Sequence, residues 1–260
     1  LAGHRGSLFD ARVDRDGKRL VTGGTDRTVR VSDLATMELS WSTPDLGVIR
    51  VVGVDFLPQD RVMVVLANDT RPAEFQLWRI GQSEGKPEAI WRGELPRESL
   101  NHGAATPDGR HVVVGSVSRS IRIVPLDLSS ETPAFGESIT IPQSHPVMHV
   151  EVAPLGGRFV AAAENVARIY DLTGKQLGPA LEGHQKLIRR VRWSADGSQV
   201  VTASLDGSAR IWNAATGACE TEIVVGASSP VSDAQFRGDG LVLYTVSVDV
   251  FVRGWSLERS

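Results

Sequence analysis

The chain has one cysteine and no surplus of positive charge, and both shortages limit what it can be. Cys219 is alone among 260 residues, so no internal disulfide can form, and a reducing, cytoplasmic location is expected. The formal net charge is -3, which supplies no positive field for wrapping nucleic acid. No apolar run approaches the ~20 residues that cross a bilayer, so no membrane contact is expected.

The sequence also lacks a sustained helical period, and short apolar runs separated by Asp-Gly turns predict an all-β fold. Residues 13–22 recur as residues 193–202 and 236–245, and weaker copies occupy residues 56–65, 105–114 and 152–161. The turn residues of the six copies are Gly17, Asp60, Gly109, Gly156, Gly197 and Gly240. Their spacings of 43, 49, 47, 41 and 43 residues match the ~40–45 residues of a propeller blade.

The fifth copy carries the most complete motif: Gly183-His184, Asp196-Gly197, Thr202, Asp206 and Trp212-Asn213. With these residues the chain resembles the WD40-repeat family. The resemblance implies a β-propeller of four-stranded antiparallel blades, here one domain over residues 1–260 with six visible repeats. The repeats are taken as residues 1–42, 43–90, 91–140, 141–181, 182–225 and 226–260.

The resemblance further implies a buried relay of His, Thr, Asp and Trp side chains in each complete repeat. A tryptophan N–H can only donate, a hydroxyl can accept and donate, and an imidazole can bond on both sides. The relay residues are His4, Thr22 and Asp26 in the first repeat, His184, Thr202, Asp206 and Trp212 in the fifth, and Thr245, Asp249 and Trp255 in the sixth. Ser32 replaces the tryptophan of the first repeat, and Ala227 replaces the histidine of the sixth.

Other interpretations of these side chains remain open. His, Asp and Thr of a relay could resemble a catalytic triad, but no oxyanion motif accompanies them. His145 and His149 have a spacing that would suit a metal on a helix, whereas on a strand it separates their Cα atoms by ~13 Å. Arg189, Arg190 and Arg192 form a compact basic cluster, which we interpret as a solvated strand edge because the side chains alternate between faces. No metal or cofactor is expected.

In WD40 relatives, partners dock on the rim where the loop before the first strand meets the turn between the second and third strands. Transferred by position, the first three repeats place Ser7, Phe9, Thr25, Arg50, Val52, Ser99, Asn101 and Val117 there. The other three place Pro146, Met148, Glu164, Leu187, Arg189, Leu205, Pro230, Ser232 and Val248 there. Apolar side chains on loops beside a few charges are typical of a protein or peptide site.

We therefore expect an interaction scaffold or a sensing module rather than an enzyme. The alternative is a propeller enzyme or metal-dependent hydrolase that uses the central channel, but the sequence shows no repeated carboxylate on the innermost strands. The preference for Arg over Lys suggests a bacterial source. The resemblance also implies a place in a larger signalling protein with several domains, and a seventh blade that completes the ring.

Overall fold

The computed structural model describes residues 3–47, 50–67, 72–80, 89–94, 99–128, 134–226 and 229–257. Throughout these ranges the chain forms β-strands and turns. It divides into two compact units: the first comprises Leu1–Val114 and Val124–Ser138, and the second comprises Gly115–Ile123 and Ile139–Ser260. The division falls within two neighbouring strands, so the units are described separately below.

The first unit holds two complete antiparallel sheets and most of a third. Sheet 1 consists of β1 (Leu8–Val13), β2 (Arg19–Gly24), β3 (Val29–Asp33) and β4 (Leu39–Ser42). Sheet 2 consists of β5 (Arg50–Leu57), β6 (Arg61–Ala67), β7 (Glu74–Arg79) and β8 (Ala89–Glu94). Sheet 3 contains β9 (Leu100–Ala105), β10 (His111–Ser116), β11 (Ser120–Asp127), β12 (Ala134–Phe135) and β13 (Ile139–Pro142). The strands of each sheet follow one another in the sequence, as hairpins require.

The second unit holds the remaining sheets. Sheet 4 consists of β14 (Val147–Val152), β15 (Arg158–Ala163), β16 (Val166–Asp171) and β17 (Leu181–Glu182). Sheet 5 consists of β18 (Ile188–Trp193), β19 (Gln199–Ser204), β20 (Ser208–Asn213) and β21 (Cys219–Val224). Sheet 6 consists of β22 (Val231–Phe236), β23 (Val242–Ser247) and β24 (Val252–Ser256), and within the described residues it has no fourth strand.

The turn residues found in the sequence lie between the first and second strands, where the backbone needs a left-handed residue. Gly197 has φ 71°, and its N–H donates to the Ser194 carbonyl at 2.9 Å. Glycine adopts this conformation without a side-chain clash. Asp60 takes the same place in sheet 2 with φ 52°, a conformation that aspartate tolerates better than most residues. The repeat spacing therefore marks real hairpins.

Within each unit, neighbouring sheets bury their faces against each other. Val21, Val29 and Val31 of sheet 1 pack with Val51 and Val54 of sheet 2. In the second unit, sheets 4 and 5 share one apolar cluster, and sheets 5 and 6 share another. A single sheet has two faces to cover, and stacking consecutive sheets covers them.

The prediction of an all-β propeller built from antiparallel sheets is confirmed. Sheet 3 departs from the expected four strands because β11 is long enough for two partners: Leu126 and Asp127 pair with β12, while residues 120–123 pair with β13. The longer spacing between the third and fourth turns supplies the additional strand. The seventh blade stays a prediction.

Candidate functional site

Sheet 5 brings together all four relay side chains. His184 Nδ1 lies 2.8 Å from Asp206 Oδ2, and His184 Nε2 lies 2.6 Å from Thr202 Oγ1. The indole N–H of Trp212 donates to the same Thr202 oxygen at 2.9 Å. Because the indole only donates, the Thr202 hydroxyl accepts its hydrogen bond and donates one to His184 Nε2. This series of hydrogen bonds joins the loop before β18 to the second and third strands.

The charges of this relay favour an ionised aspartate and a neutral histidine. Burial raises the pKa of Asp206, but hydrogen bonds from Ser208, the Gln185 N–H and His184 outweigh it and lower the pKa to about 2. Burial lowers the pKa of His184, although Asp206 opposes that change. Thr202 is fully buried beneath Trp212, so its hydroxyl has no route to a substrate.

Sheet 1 repeats the geometry without the tryptophan. His4 Nδ1 lies 2.9 Å from Asp26 Oδ1, and His4 Nε2 lies 2.8 Å from Thr22 Oγ1. Burial raises the pKa of Asp26, yet hydrogen bonds from His4, the Arg5 N–H and Thr28 lower it to about 2. The half-buried Ser32 stands opposite Leu20, as Trp212 stands opposite Val200 in sheet 5.

Sheet 6 keeps only the tryptophan side of the relay. The Trp255 N–H donates to Thr245 Oγ1 at 2.9 Å. Asp249 instead forms an ion pair with Arg253 at 2.6 Å and accepts a hydrogen bond from Ser247 at 2.5 Å. Hydrogen bonds from Arg253 and Ser247 hold the pKa of Asp249 well below its usual range. Ala227, at the expected histidine position, lies outside the described residues.

The rim positions lie next to one another within individual sheets. In sheets 1, 5 and 6 the N–H of the residue before the relay aspartate donates to a carbonyl of the loop before the first strand. This bond recurs with N···O distances of 2.8, 2.9 and 3.1 Å from Thr25 to Ser7, from Leu205 to Leu187 and from Val248 to Pro230. In these three sheets the hydrogen bond brings the loop and the turn to the same end of the sheet.

The side chains at these positions differ in exposure. In the first unit Arg50 is exposed, while Phe9 and Asn101 are half-buried. In the second unit Arg189 and Val248 are exposed, and the half-buried ones are Met148, Leu187 and Leu205. One transferred position was wrong: Val52 is buried in the core with Val65 and Leu100. The same register shift occurs in the first strands of sheets 1, 4, 5 and 6, so the burial of Val52 comes from its packing with Leu100 of sheet 3.

A charged cluster in the first unit escaped the sequence analysis. Asp10 Oδ2 accepts a hydrogen bond from the Val54 N–H at 3.2 Å and lies 3.4 Å from His102 Nε2. Arg12 bridges Asp10 and Asp55 at 4.0 and 3.8 Å. Burial raises the pKa of Asp55 to about 6, helped by Asp10 and opposed by Arg12 and the Ala105 N–H.

The second unit contains a related cluster, and it corrects two expectations. Arg192 is buried, with ion pairs of 3.0 Å to Glu151 and 3.1 Å to Asp233, so it does not lie on a solvated strand edge. Carboxylates do recur on the first strands, since Asp10 and Asp233 share one repeat position and Asp55 and Glu151 share another. Acidic residues at matching positions of other repeats were the signal that could have revealed both facts.

The side chains of neither cluster are placed as the ligands of a metal ion. Within the described ranges, no group of three or more His, Cys, Asp and Glu residues is placed to hold a metal ion. His145 lies 3.0 Å from Glu164 at the surface, whereas His149 is buried. Among those same residues no helix is long and apolar enough to cross a membrane.

Comparison with known proteins connects these repeats to a family. The model described as "WD domain, G-beta repeat" matches residues 1–33 and 175–213, which contain the two histidine relays. Apoptotic protease-activating factor 1 of Rattus norvegicus is 22% identical over 98% of this chain and 19% of its own length. Protein Notchless of Drosophila melanogaster is 33% identical over 58% of the chain and 31% of its own length.

The human angio-associated migratory cell protein is 27% identical over 78% of the chain and 48% of its own length. In all three comparisons the chain spans less than half of the relative. The matched repeats, the relay geometry and the six consecutive antiparallel sheets agree with one another. The matched segments are WD40 repeats, and the chain that contains them has the β-propeller fold.

Proposed function

We propose that this propeller is a protein-interaction module that binds a protein or peptide on the rim of its second unit. WD40 propellers generally act as scaffolds and not as enzymes. The observation that carries the proposal is the hydrogen bond from the Leu205 N–H to the Leu187 carbonyl at 2.9 Å. It holds two half-buried leucines side by side where the loop meets the turn, and such apolar side chains favour macromolecular contact.

The relay beneath the rim prepares this surface for binding. Asp206 accepts a hydrogen bond from the Gln185 N–H at 3.0 Å, two residues before Leu187. Ser204 donates to the Lys186 carbonyl at 3.0 Å. The loop is thereby ordered before a partner arrives, which lowers the entropic cost of association. We infer that the relays of sheets 1 and 5 are structural and that their resemblance to a catalytic triad is incidental.

The surroundings of the leucines indicate the kind of partner. Arg189 is exposed on β18, and Met148 is half-buried on β14. The Glu164 carbonyl accepts a hydrogen bond from the Ile188 N–H at 2.6 Å, which brings the turn of sheet 4 beside the loop of sheet 5. An apolar centre with a cation at its border fits a peptide that offers an apolar anchor next to a carboxylate.

The enzyme alternative finds less support. Carboxylates occur on the first strands, but Arg12 lies against Asp10 and Asp55, and Arg192 lies against Glu151 and Asp233. These carboxylates are therefore already paired with arginine, unlike the open ligands of a metal site. The relatives' greater length and the name of the rat relative support a place within a larger signalling protein.

Photo-cross-linking tests the rim assignment. A photoreactive amino acid at Leu187 should capture a partner that, once purified, binds the chain in calorimetric titration. Leu187→Asp and Leu205→Asp should each abolish that binding while leaving Tm within a few degrees, because surface changes cost ~0.5 kcal/mol. Leu155→Asp is the matched control, since Leu155 is 83% exposed in the turn between β14 and β15, at the opposite end of its sheet from the rim. Unchanged affinity in both rim variants would place the binding surface elsewhere.

A further inference from the structure

The rim formed by the loops and turns of sheets 3, 4 and 5 has carboxylates that are already in use. The turn of sheet 3, residues 115–123, belongs to the second unit together with sheets 4 and 5. Among the described residues of this rim, Glu164 lies 3.0 Å from His145. Asp206 lies 2.8 Å from His184 within the relay. The negative charges of the rim are therefore matched by groups of the chain itself.

The cations of the same rim are not matched in this way. Arg119, Lys186 and Arg189 are exposed, and none of them forms an ion pair within the part of the chain that the structure describes. Sheet 1 shows the contrast, because Arg27 holds the turn position of Arg119 and pairs with Asp45 at 2.7 Å. Although the formal net charge of the chain is -3, the rim of sheets 3, 4 and 5 presents positive charge.

Arg119 also stands where a smaller residue would be less strained. Its backbone has φ 61°, and Gly207 occupies the equivalent turn position of sheet 5 with φ 87°. Glycine reaches this left-handed region without the steric cost that a side chain brings. An arginine on an exposed turn that bears this cost points to a use for its charge.

The three cations lie on consecutive sheets at one end of the second unit. The Gln143 N–H donates to the Arg119 carbonyl at 2.8 Å, which joins the turn of sheet 3 to the loop that enters sheet 4. The Ile188 N–H donates to the Glu164 carbonyl at 2.6 Å, which joins the turn of sheet 4 to sheet 5. Stacked sheets lie ~10 Å apart, so two such steps separate Arg119 from the cations of sheet 5 by ~20 Å.

Apolar side chains occupy the rim between these cations. They are Val117, which is 44% exposed, and the half-buried Pro146, Met148, Leu187 and Leu205. Aliphatic groups between cations favour a polypeptide, which can offer apolar side chains and carboxylates in turn. A nucleic-acid backbone offers a phosphate at every step and would leave this apolar surface uncovered.

We propose that the rim of sheets 3, 4 and 5 binds an extended acidic peptide with two carboxylates about six residues apart, because an extended chain rises ~3.3 Å per residue. One carboxylate pairs with Arg119, and the other lies between Lys186 and Arg189. The apolar side chains of the peptide cover the surface between them. This inference rests on the rim function proposed above and specifies the partner of that rim.

Peptide display tests the proposal. The chain selects from a phage library of random peptides that are long enough to cross all three sheets. We expect the enriched peptides to carry two acidic positions about six residues apart, with apolar residues between them. Selection on Arg119→Glu should change one acidic position to Lys or Arg and retain the other. The control is Arg15→Glu, an exposed position in the turn between β1 and β2, and it should select the same peptides as the unaltered chain.

Calorimetric titration of an enriched peptide measures the size of the effect. Arg119→Glu should weaken binding about threefold to tenfold, because it converts one exposed attraction into a repulsion. Lys186→Glu combined with Arg189→Glu should weaken binding further, since two cations are reversed. Added salt should weaken binding to the unaltered chain more than binding to Arg119→Glu.

The possible failures separate this inference from the rim function itself. Enriched peptides without the two acidic positions, or with unchanged affinity for Arg119→Glu, would overturn the inference, as would a library that yields no enriched peptide. Random single-stranded DNA that binds more tightly than the peptides and displaces them would assign the cations to nucleic acid. Peptides that lose binding to Leu187→Asp yet show no acidic preference would leave the rim function standing, whereas peptides indifferent to Leu187→Asp would contradict it.

Discussion

Sheets 1 and 5 share a fold and a histidine relay, yet sheet 5 is far better buried. His184 and Thr202 are buried completely in sheet 5, whereas His4 retains 12% exposure of its side chain in sheet 1. Trp212 covers the relay in sheet 5, and Ser32 stands at the corresponding place in sheet 1. The comparison teaches that hydrogen bonds between the same residue types are expected to contribute unequally to stability, because their desolvation differs.

The largest expected difference between the two sheets comes from the tryptophan. Trp212→Ala should lower the free energy of unfolding by about 3–5 kcal/mol, because it removes a large buried ring and the hydrogen bond that the indole donates to Thr202. Ser32→Ala at the matching position of sheet 1 should change it by about 0.5 kcal/mol. Denaturant titration measures both. A loss below ~1 kcal/mol for Trp212→Ala would contradict the importance given to the indole.

The threonine hydroxyls should show a smaller difference of the same sign. Thr202→Val leaves the Trp212 N–H and His184 Nε2 without their buried partner, which should cost about 1–3 kcal/mol. Thr22→Val removes a single hydrogen bond, to His4, which is only partly buried, and this change should cost about 0.5–1 kcal/mol. Equal losses in chemical denaturation would indicate that burial does not separate the two relays.

The pH dependence should distinguish the relay of sheet 5 from the charged cluster of the first unit. The pKa of Asp206 is about 2 in the folded chain and that of His184 is lowered, so the unfolded chain binds more protons at both. Their stabilisation is therefore lost as pH falls, for His184 below ~6.5 and for Asp206 below ~4.

Asp55 should act in the opposite direction. Its folded pKa of about 6 lies above the ordinary value of 3.8, so its contribution is present below ~4 and is lost as pH rises through ~6. Asp55→Asn should remove this dependence, whereas Asp206→Asn should remove part of the acid sensitivity. Unfolding free energies between about pH 3 and pH 7 give both slopes. A slope that Asp55→Asn leaves unchanged would contradict its assignment to Asp55.

The smallest expected effect is in local opening. The amides of β1 should exchange faster than those of β18. Leu8 and Val13 of β1 are more than half exposed, and sheet 1 has no counterpart of the Trp212 indole. Native-state hydrogen exchange followed by mass spectrometry measures the two strands in one experiment. Equal protection of β1 and β18 would remove the stability difference proposed for the sheets.

Much of the fold could be predicted because hairpin turns require particular residues at fixed positions in the sequence. The six turn residues, five of them glycine, fall where the backbone requires a left-handed residue, and their spacing identified the repeats. The relay of sheet 5 was also predictable, because its histidine, threonine, aspartate and tryptophan follow one another in the order and spacing of the family motif. Val52 was predicted wrongly, because its packing with Leu100 of the next sheet cannot be inferred from spacing.

The charged clusters show the limit most clearly. Arg192 was interpreted as solvated because a single strand gives only the alternation of its faces. Its partners, Glu151 and Asp233, lie 41 residues away on either side and come from two other sheets. Only a repeat-by-repeat alignment of first strands could have indicated that these charges meet.

The sequence by itself determined the repeats, the strand order within each sheet and the residues of the relays, because these depend on turns, alternation and side-chain chemistry that act over short distances. The tertiary structure decided which of those residues are buried. Tyr244 and Val201 occupy the same place in their repeats, yet one is 42% exposed and the other is buried. Burial depends on the neighbouring sheet, and no property of a single repeat can specify whether that neighbour is there.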